Sequence, residues 1–190
     1  MKIIIGLGNP GENYKNTRHN TGFMAIDYLV NQLDLTWEQN KKFNAEVTSP
    51  PPSPSRGEGV KVLYVKPQTF MNNSGQAIQA VLSYYKLLPK KLGVIRQKNT
   101  NLSDVLTIIH DDLDIELGKY KISIDSRSAG HQGVESIINH LKTKNFKRIR
   151  IGIKGIKPAQ MPTENYVLQK FSQEELKIIN HVIPEIIKLA

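Results

Sequence analysis

The sequence predicts a three-layer α/β fold, in which a mostly parallel, mixed and twisted sheet lies between layers of helices. Two observations lead to this prediction. Short apolar strands alternate along the chain with amphipathic helices. The chain has 190 residues, which is enough for one sizeable hydrophobic core. We therefore expect residues 1–190 to form one domain, with segments 49–59 and about 92–101 as inserted surface loops.

The predicted elements follow from the spacing of apolar residues. The strands are expected at Ile3–Gly6, Val60–Val65, Val105–Ile109 and Phe146–Ile153. The helices are expected to begin at Asn20 or Thr21, within Asn72–Ser74, after Gly133 and after Ser172. In the last strand isoleucines alternate with Arg148, Arg150 and Lys154, so these cations are expected on the opposite face of the strand.

The composition excludes several classes of protein. Apolar residues make up 39% and charged residues 23%, as is typical of soluble globular proteins. No apolar run approaches the ~20 residues of a membrane helix, and glycine interrupts the apolar N-terminus too early for a secretory signal. The absence of cysteine excludes disulfides, thiolate metal sites and a cysteine nucleophile. We expect a cytoplasmic protein without a membrane partner.

Polar residues follow the predicted strands where the functional loops of such a sheet collect. They are Asn9 and His19 after the first strand, Asn72 after the second, Asp111 after the third, and His131 and Gln132 before the third helix. Because carboxyl ends of parallel strands meet at one edge, we expect these residues to converge.

His19 is the candidate general base. It precedes a predicted helix, whose dipole disfavours an imidazolium, and a neutral imidazole accepts a proton near pH 7. A carboxylate is needed to fix its tautomer; Asp111 is our choice, with Asp112 and Asp114 as alternatives. His110 is interpreted as a core residue. No G-x-S-x-G elbow is present, so the predicted nucleophile is water.

Asn9 and Asn72 carry amide groups that can stabilise an oxyanion or cap a helix, and the sequence leaves both roles open. The stretch Gly6–Gly11 fits the dinucleotide pattern G-x-G-x-x-G, but polar residues separate it from the helix that would bind the pyrophosphate. Residues 110–114 include metal-ligand types, but neighbours on a strand point to opposite faces. We predict neither a cofactor nor a metal.

The charge distribution indicates a polyanionic partner. The chain has a formal net charge of +9, and between Leu117 and Lys157 ten lysines and arginines face only two acids, Asp125 and Glu135. A region with one sign of charge suits nucleic acid, although a solvated basic surface gives the same pattern.

Several segments resemble the signature stretches of bacterial-type peptidyl-tRNA hydrolases. They are GLGNPGENYKNTRHNTGF, KPQTFMNNSG, HDDLD, GKYK with the later GHQG, NFKRIRIGI and YVLQKF. The resemblance implies a cofactor-free, monomeric enzyme without an obligate protein partner. It implies cleavage of the ester between a peptide and the 3′-terminal ribose of tRNA, which recycles tRNA from abortive translation.

The resemblance also implies residue roles. His19 would activate water with the help of Asp111, Asn9 would distinguish N-blocked substrates, and Asn72 would bind substrate near the ester. The remaining matches are Tyr14, Phe70 and Met71 along the cleft for the peptide and the tRNA CCA end, Leu113 and Asp114 in a gate-like segment, and Lys121 and Arg150 at the acceptor-stem phosphate.

One position departs from the family pattern. The family usually has Gly-His-Asn-Gly where this chain has Gly130-His131-Gln132-Gly133. Gln132 keeps the substrate-binding amide but adds a methylene, and a ~1 Å displacement of a positioned group can cost ~100-fold in rate. The alternative prediction is therefore a catalytically weakened RNA-binding protein on the same scaffold.

Overall fold

The computed structural model describes residues 1–51, 61–91, 95–96, 98–157 and 159–189. The strands are β1 (Lys2–Gly6), β2 (Glu38–Asn40), β3 (Ala45–Thr48), β4 (Val62–Pro67), β5 (Lys90–Lys91), β6 (Ile95–Arg96), β7 (Leu106–Glu116), β8 (Tyr120–Ser123) and β9 (Lys147–Lys154). The helices are α1 (Thr21–Gln32), α2 (Ser74–Tyr84), α3 (Gln132–Leu141), α4 (Thr163–Leu168) and α5 (Gln173–Ile187). Short 3₁₀ turns cover Glu12–Tyr14, Arg18–Asn20 and Met71–Asn73.

Seven strands form the main sheet in the order β2-β3-β4-β1-β7-β9-β8. The central pairs β1/β4, β1/β7 and β7/β9 are parallel, whereas β2/β3, β3/β4 and β8/β9 are antiparallel. Strands β5 and β6 pair separately as an antiparallel ladder. This arrangement confirms the predicted three-layer α/β fold with a mixed sheet, which is parallel at its centre and antiparallel towards both edges.

Alternation along the strands divides the core into two apolar layers. Ile3 and Ile5 of β1 pack with the apolar residues of α2 and α3 on one face. Ile4 packs on the other face with the apolar residues of α1 and α5. Within the residues that the structure describes, no helix has both the length and the apolar character needed to cross a bilayer.

Two strand predictions need correction. The second strand was predicted at Val60–Val65, whereas β4 covers Val62–Pro67. Val60 lies outside the described residues. The third continues beyond Ile109 to Glu116, so Asp111 lies within β7 rather than after it. The polar residues extend the strand because β9 continues to pair with it, as in Asp111↔Ile151.

The alternating pattern places Arg148 on the face of β9 opposite the isoleucines, and the structure shows that this position is covered. Its side chain is buried, and Nη2 donates a hydrogen bond to the Arg127 carbonyl at 2.9 Å. Burial lowers the pKa of Arg148 to about 10. The segment after β8 therefore covers the face of β9 that carries Arg148.

The predicted 49–59 loop lies mostly outside the described residues, as does part of the 92–101 segment. Their assignment as insertions stays a prediction.

Candidate active site

The 3₁₀ turn Arg18–Asn20 places His19 next to Asp111. Nδ1 of His19 lies 2.9 and 3.0 Å from the two carboxylate oxygens. An ionised carboxylate only accepts hydrogen bonds, so Nδ1 carries the proton in neutral His19. Nε2 is then the nitrogen that can accept a proton, and His19 lines the main cleft.

The end of β1 explains why this contact can form. The last residue of β1, Gly6, pairs with Ile109, so Asp111 extends past the end of its neighbouring strand. On the other side β9 still pairs with Asp111 and holds its backbone. The first turn of α1 occupies the space beyond β1, where the Phe23 amide donates to the Leu7 carbonyl at 3.1 Å.

His131 is a second histidine on the same carboxylate, and no role was predicted for it from the sequence. Its Nε2 lies 3.0 Å from Oδ1 of Asp111. Its Nδ1 accepts the backbone N–H groups of Gly133 and Val134, so His131 caps the N-terminus of α3. Those two donors require Nδ1 to be unprotonated, which places the ring proton on Nε2, facing Asp111.

The contacts set the charges of these groups. Burial disfavours the charged forms of Asp111 and His19 alike, but their mutual attraction outweighs it. The pKa of Asp111 is lowered from 3.8 by His19 and His131. The pKa of His19 is raised above 6.5 by the charge and hydrogen bond of Asp111. The Asp111 carboxylate therefore favours the imidazolium that the helix dipole was expected to disfavour.

The structure confirms the interpretation of His110 as a core residue. It is buried, and its Nδ1 donates to the Asp111 backbone carbonyl at 2.7 Å. Burial, together with the nearby His131 ring, holds the pKa of His110 well below 6.5. The neutral ring lies edge-on against His131, with the ring centroids 4.7 Å apart.

Asn9 presents a fixed amide to the same region. Its Oδ1 accepts the Met71 N–H at 2.8 Å, which leaves Nδ2 as the donor of that side chain. The Asn20 side chain accepts the backbone N–H of Asn9 at 2.8 Å and donates to the backbone carbonyl of Asn9 at 2.9 Å. The Asn9 loop, the His19 turn and the start of the Met71–Asn73 turn are thereby held together.

A cleft of about 490 Å³ contains most of the predicted site residues. Its lining includes Asn9, His19, Phe70, Met71, Asn72, Asp111, Leu113, Asp114 and Gln132. Asn72 and Gln132 are exposed at its surface, and Gln132 is the first residue of α3. The expected convergence is confirmed for these residues.

Three predicted residues lie outside the lining of this cleft. Tyr14 contacts Phe70 edge-on, with the ring centroids 6.2 Å apart, so it borders the cleft indirectly. Lys121 is exposed on the edge strand β8, where it pairs with Arg150 of β9. Arg150 is ion-paired rather than free, because its Nε donates to Oδ2 of Asp112 at 2.7 Å.

Two histidines and a carboxylate also form a set of potential metal ligands. Ligand atoms of His19, Asp111 and His131 lie within 4.8 Å of one another. Metal ligation by Nε2 of His131 would move its proton to Nδ1, which faces two backbone donors. Metal-bound histidines normally donate their other N–H to an acceptor. The backbone donors at Nδ1 of His131 therefore fit a hydrogen-bonded cluster better than a metal centre.

The cleft also contains residues for which no role was predicted from the sequence. The helix α4 contributes Thr163, Glu164, Val167 and Leu168 to its wall. The helix is too short for its apolar spacing to stand out. A histidine directly before a helix was the available signal for His131, but the usual N-cap residues are Ser, Thr, Asp and Asn.

This fold and site together define a hydrolase with an α/β fold and a water nucleophile, in which a histidine oriented by a carboxylate can act on water at the end of a parallel sheet. The sequence shows the family to which this hydrolase belongs. A model of the peptidyl-tRNA hydrolase family matches residues 3–190, and the chain belongs to that family, which confirms the resemblance.

Relatives from several bacteria are similar to the chain over most of its length. Peptidyl-tRNA hydrolase of Mycoplasma mycoides subsp. mycoides is 41% identical over 179 residues, which cover 94% of this chain and 85% of that protein. The Brevibacillus brevis protein of the same name is 42% identical over 183 residues, covering 96% and 86%. A crystal structure of peptidyl-tRNA hydrolase from Acinetobacter baumannii superimposes with a TM-score of 0.79 at 29% identity, covering 97% and 83%.

Proposed function

We propose that this chain hydrolyses the ester between a peptide, or an N-blocked amino acid, and the 3′-terminal ribose of tRNA. The observation that carries the residue assignment is the 2.9 Å contact between Nδ1 of His19 and the Asp111 carboxylate. Membership of the family supports the substrate class. We further propose that the protein acts as a cytoplasmic monomer, without a cofactor, and recycles tRNA from abortive translation.

In the proposed reaction His19 is the general base. Its Nε2 takes a proton from water, and the water oxygen forms a bond to the ester carbonyl carbon. The bond between that carbon and the ribose oxygen then breaks, and the proton passes from His19 to the leaving ribose oxygen. Asp111 keeps Nδ1 protonated and stabilises the transient imidazolium, as the acid does in other histidine-based hydrolases.

The amide groups are assigned to the substrate. Nδ2 of Asn9 is free to donate because Oδ1 is occupied by the Met71 amide, so it can bind a carbonyl of an N-blocked substrate. The exposed Asn72 is proposed to bind near the scissile ester. Gln132 lines the same cleft and is assigned to substrate binding, with Leu113 and Asp114 as a gate-like segment.

The nucleic acid and the peptide are assigned to different surfaces. Among the described residues, the cleft lining contains no lysine or arginine, and its apolar members suit a peptide. Lys121 and Arg150 are proposed to bind the acceptor-stem phosphate. Phe70, with an exposed fraction of 56%, and the adjoining Tyr14 offer rings to the CCA end.

The test is hydrolysis of N-acetyl-aminoacyl-tRNA in the presence of EDTA, beside free aminoacyl-tRNA and a His19→Ala variant. We expect rapid release from the blocked substrate only, and turnover lost in His19→Ala while tRNA binding is retained. A His19→Ala enzyme with most of its kcat would remove His19 as the base. Wild-type protein that binds tRNA without releasing the acyl group would instead support the weakened RNA-binding alternative.

A further inference from the structure

Arg18, the residue before His19, is a buried cation whose polar side-chain contacts lie in the C-terminal part of the chain. Its Nη2 donates to both carboxylate oxygens of Glu175, at 2.7 and 2.9 Å. Its Nη1 donates to the carbonyls of Gln169 and Lys170, at 3.4 and 3.1 Å. The side chain thus joins the catalytic turn to the α4–α5 connection and to the first turn of α5.

Aromatic rings enclose the same guanidinium. Its central carbon lies 4.4 Å from the ring centroid of Tyr166 and 5.3 Å from that of Phe171, within the range of a cation–π contact. The Tyr166 hydroxyl donates to the Ile153 carbonyl and accepts the Gly155 amide, each at 3.0 Å. Arg18 therefore packs against a tyrosine that is itself anchored to β9 and the residue after it.

Backbone hydrogen bonds also join the chain around Arg18 to the segment between α4 and α5. The Arg18 amide donates to the Gln169 carbonyl at 3.0 Å, and the Phe171 amide donates to the Asn16 carbonyl at 2.9 Å. Helix α4, which lies between these contacts and the cleft, has six residues. A helix of that length is not stable by itself, so contacts at its ends and along its side determine where it lies.

The position of α4 matters because one of its faces is part of the cleft. Val167 and Leu168 line the cleft near the C-terminal end of α4, next to the connection that Arg18 holds, and Thr163 and Glu164 line it at the other end. His19 has further supports of its own, since it bonds Asp111 and the adjacent Asn20 bonds Asn9. Loss of the Arg18 contacts would therefore displace the α4 wall more than the base.

We infer that Arg18 is a positioning residue. Through Glu175 and the Gln169 and Lys170 carbonyls, it fixes the position of the α4 wall of the cleft relative to His19. It thereby determines how tightly the cleft holds the acyl part of the substrate. The inference rests on the proposed function for its substrate. A purely structural role for the same contacts predicts a less stable protein with an unchanged KM.

The test compares Arg18→Lys and Glu175→Gln with the wild type. Lysine keeps the charge but cannot reach Glu175 and both carbonyls with one planar group. We expect the KM for N-acetyl-aminoacyl-tRNA to rise about tenfold in Arg18→Lys with kcat changed less than about twofold. The pH profile should stay in place because the His19–Asp111 contact remains. Glu175→Gln should raise KM less, and the double variant should show less than the sum of the two effects.

Lys66→Met is the matched control. Lys66 is also a largely buried cation with two acidic partners, Asp27 at 2.8 Å and Glu46 at 3.0 Å, and it too contacts aromatic rings. It lies outside the cleft lining. We expect a lower melting temperature for Lys66→Met with an unchanged KM. A wild-type KM in folded Arg18→Lys, or an equal rise in Lys66→Met, would overturn the inference.

Hydrogen exchange adds a readout that needs no turnover. In Arg18→Lys the amides of α4 and of Gln169–Phe171 should exchange faster than in the wild type, whereas those of α2 should not. Unchanged exchange in α4 would overturn the positioning role even if the wild type were inactive. Absence of wild-type turnover would count against the proposed function alone, so the two failures are distinguishable.

Discussion

The three histidines around Asp111 differ in what their second ring nitrogen contacts. His131 uses one nitrogen on Asp111 and the other on the N-terminus of α3. His110 uses Nδ1 on the Asp111 backbone carbonyl, while its Nε2 is buried without a partner among the described residues. His19 uses Nδ1 on the carboxylate and lines the cleft with the rest of its ring. Only His19 therefore combines a fixed tautomer with a nitrogen available to substrate water.

The raised pKa of His19 gives a pH prediction. The base must be neutral, so kcat/KM should increase with pH and level off above a midpoint higher than 6.5. Asp111→Asn removes the charge that raises this pKa but leaves the burial that lowers it. We expect the midpoint to move to lower pH and the plateau to fall at least about 100-fold. Rates on blocked substrate from about pH 5 to 8 measure both effects.

A midpoint that stays in place in Asp111→Asn would show that another group titrates. Circular dichroism of the variant at each pH serves as the control for folding.

His131 is predicted to hold Asp111 in place as well as cap α3, and two substitutions separate these roles. His131→Asn keeps a side chain that caps helices but loses the Nε2–H donor to Asp111. We expect its kcat to fall about 10- to 100-fold, the cost of a hydrogen bond to a charged group, with little change in stability. His131→Ala should lose a similar rate and also about 1 kcal/mol of stability. Steady-state kinetics and urea denaturation measure the two quantities.

Equal activity of His131→Asn and the wild type would limit His131 to helix capping.

The long strand β7 shows what a sequence pattern can and cannot predict. The apolar run Val105–Ile109 identifies a buried strand, and Asn9, His19 and Asn72 follow their strands as expected, because boundaries between apolar and polar residues are local. The continuation to Glu116 depends on pairing with β9, which is distant in sequence. Asp111 therefore lies in the cleft, as predicted, although it is within the strand rather than after it.

The first turn of α1 depends on close contact with the sheet. A Cβ atom on Gly22 would lie 2.3 Å from the Ile109 carbonyl oxygen and 2.5 Å from the Leu7 nitrogen. Gly22→Ala must therefore push α1, and His19 with it, away from Asp111. We expect a loss of about 1–3 kcal/mol in the free energy of unfolding and, for a ~1 Å shift of His19, up to ~100-fold in kcat.

The control for this prediction is Asn31→Ala, at an exposed position of the same helix, which should change stability by less than about 0.5 kcal/mol. A Gly22→Ala enzyme with normal kcat would mean that the helix and the base move independently.

The charge of the whole molecule is distributed unevenly around the site. The chain carries +9, yet the charged groups of the cleft lining, apart from the histidines, are acidic. The basic region between Leu117 and Lys157 was identified from composition alone. The burial of Arg148 and the pairing of Arg150 with Asp112 were not, because a sequence does not show which segment covers a face. The region therefore offers fewer free cations than its count suggests.

Lys121 is consequently a cleaner test of the RNA surface than Arg150. Arg150→Ala would weaken binding and also leave the buried Asp112 without its guanidinium partner, so its effect on affinity mixes two causes. Lys121 is exposed on the edge strand β8, so its loss would remove the proposed phosphate contact without leaving a buried acid unpaired. For Lys121→Ala we expect tRNA affinity to fall, the slope of log K against log salt to decrease by about 1, and kcat at saturation to persist.

Lys41→Ala, which makes the same charge change next to the opposite edge strand β2, should leave the slope as in the wild type. Equal slopes for Lys121→Ala and Lys41→Ala would place the phosphate contact elsewhere on the molecule, and a slope reduced equally by both would indicate attraction by net charge rather than by a defined surface.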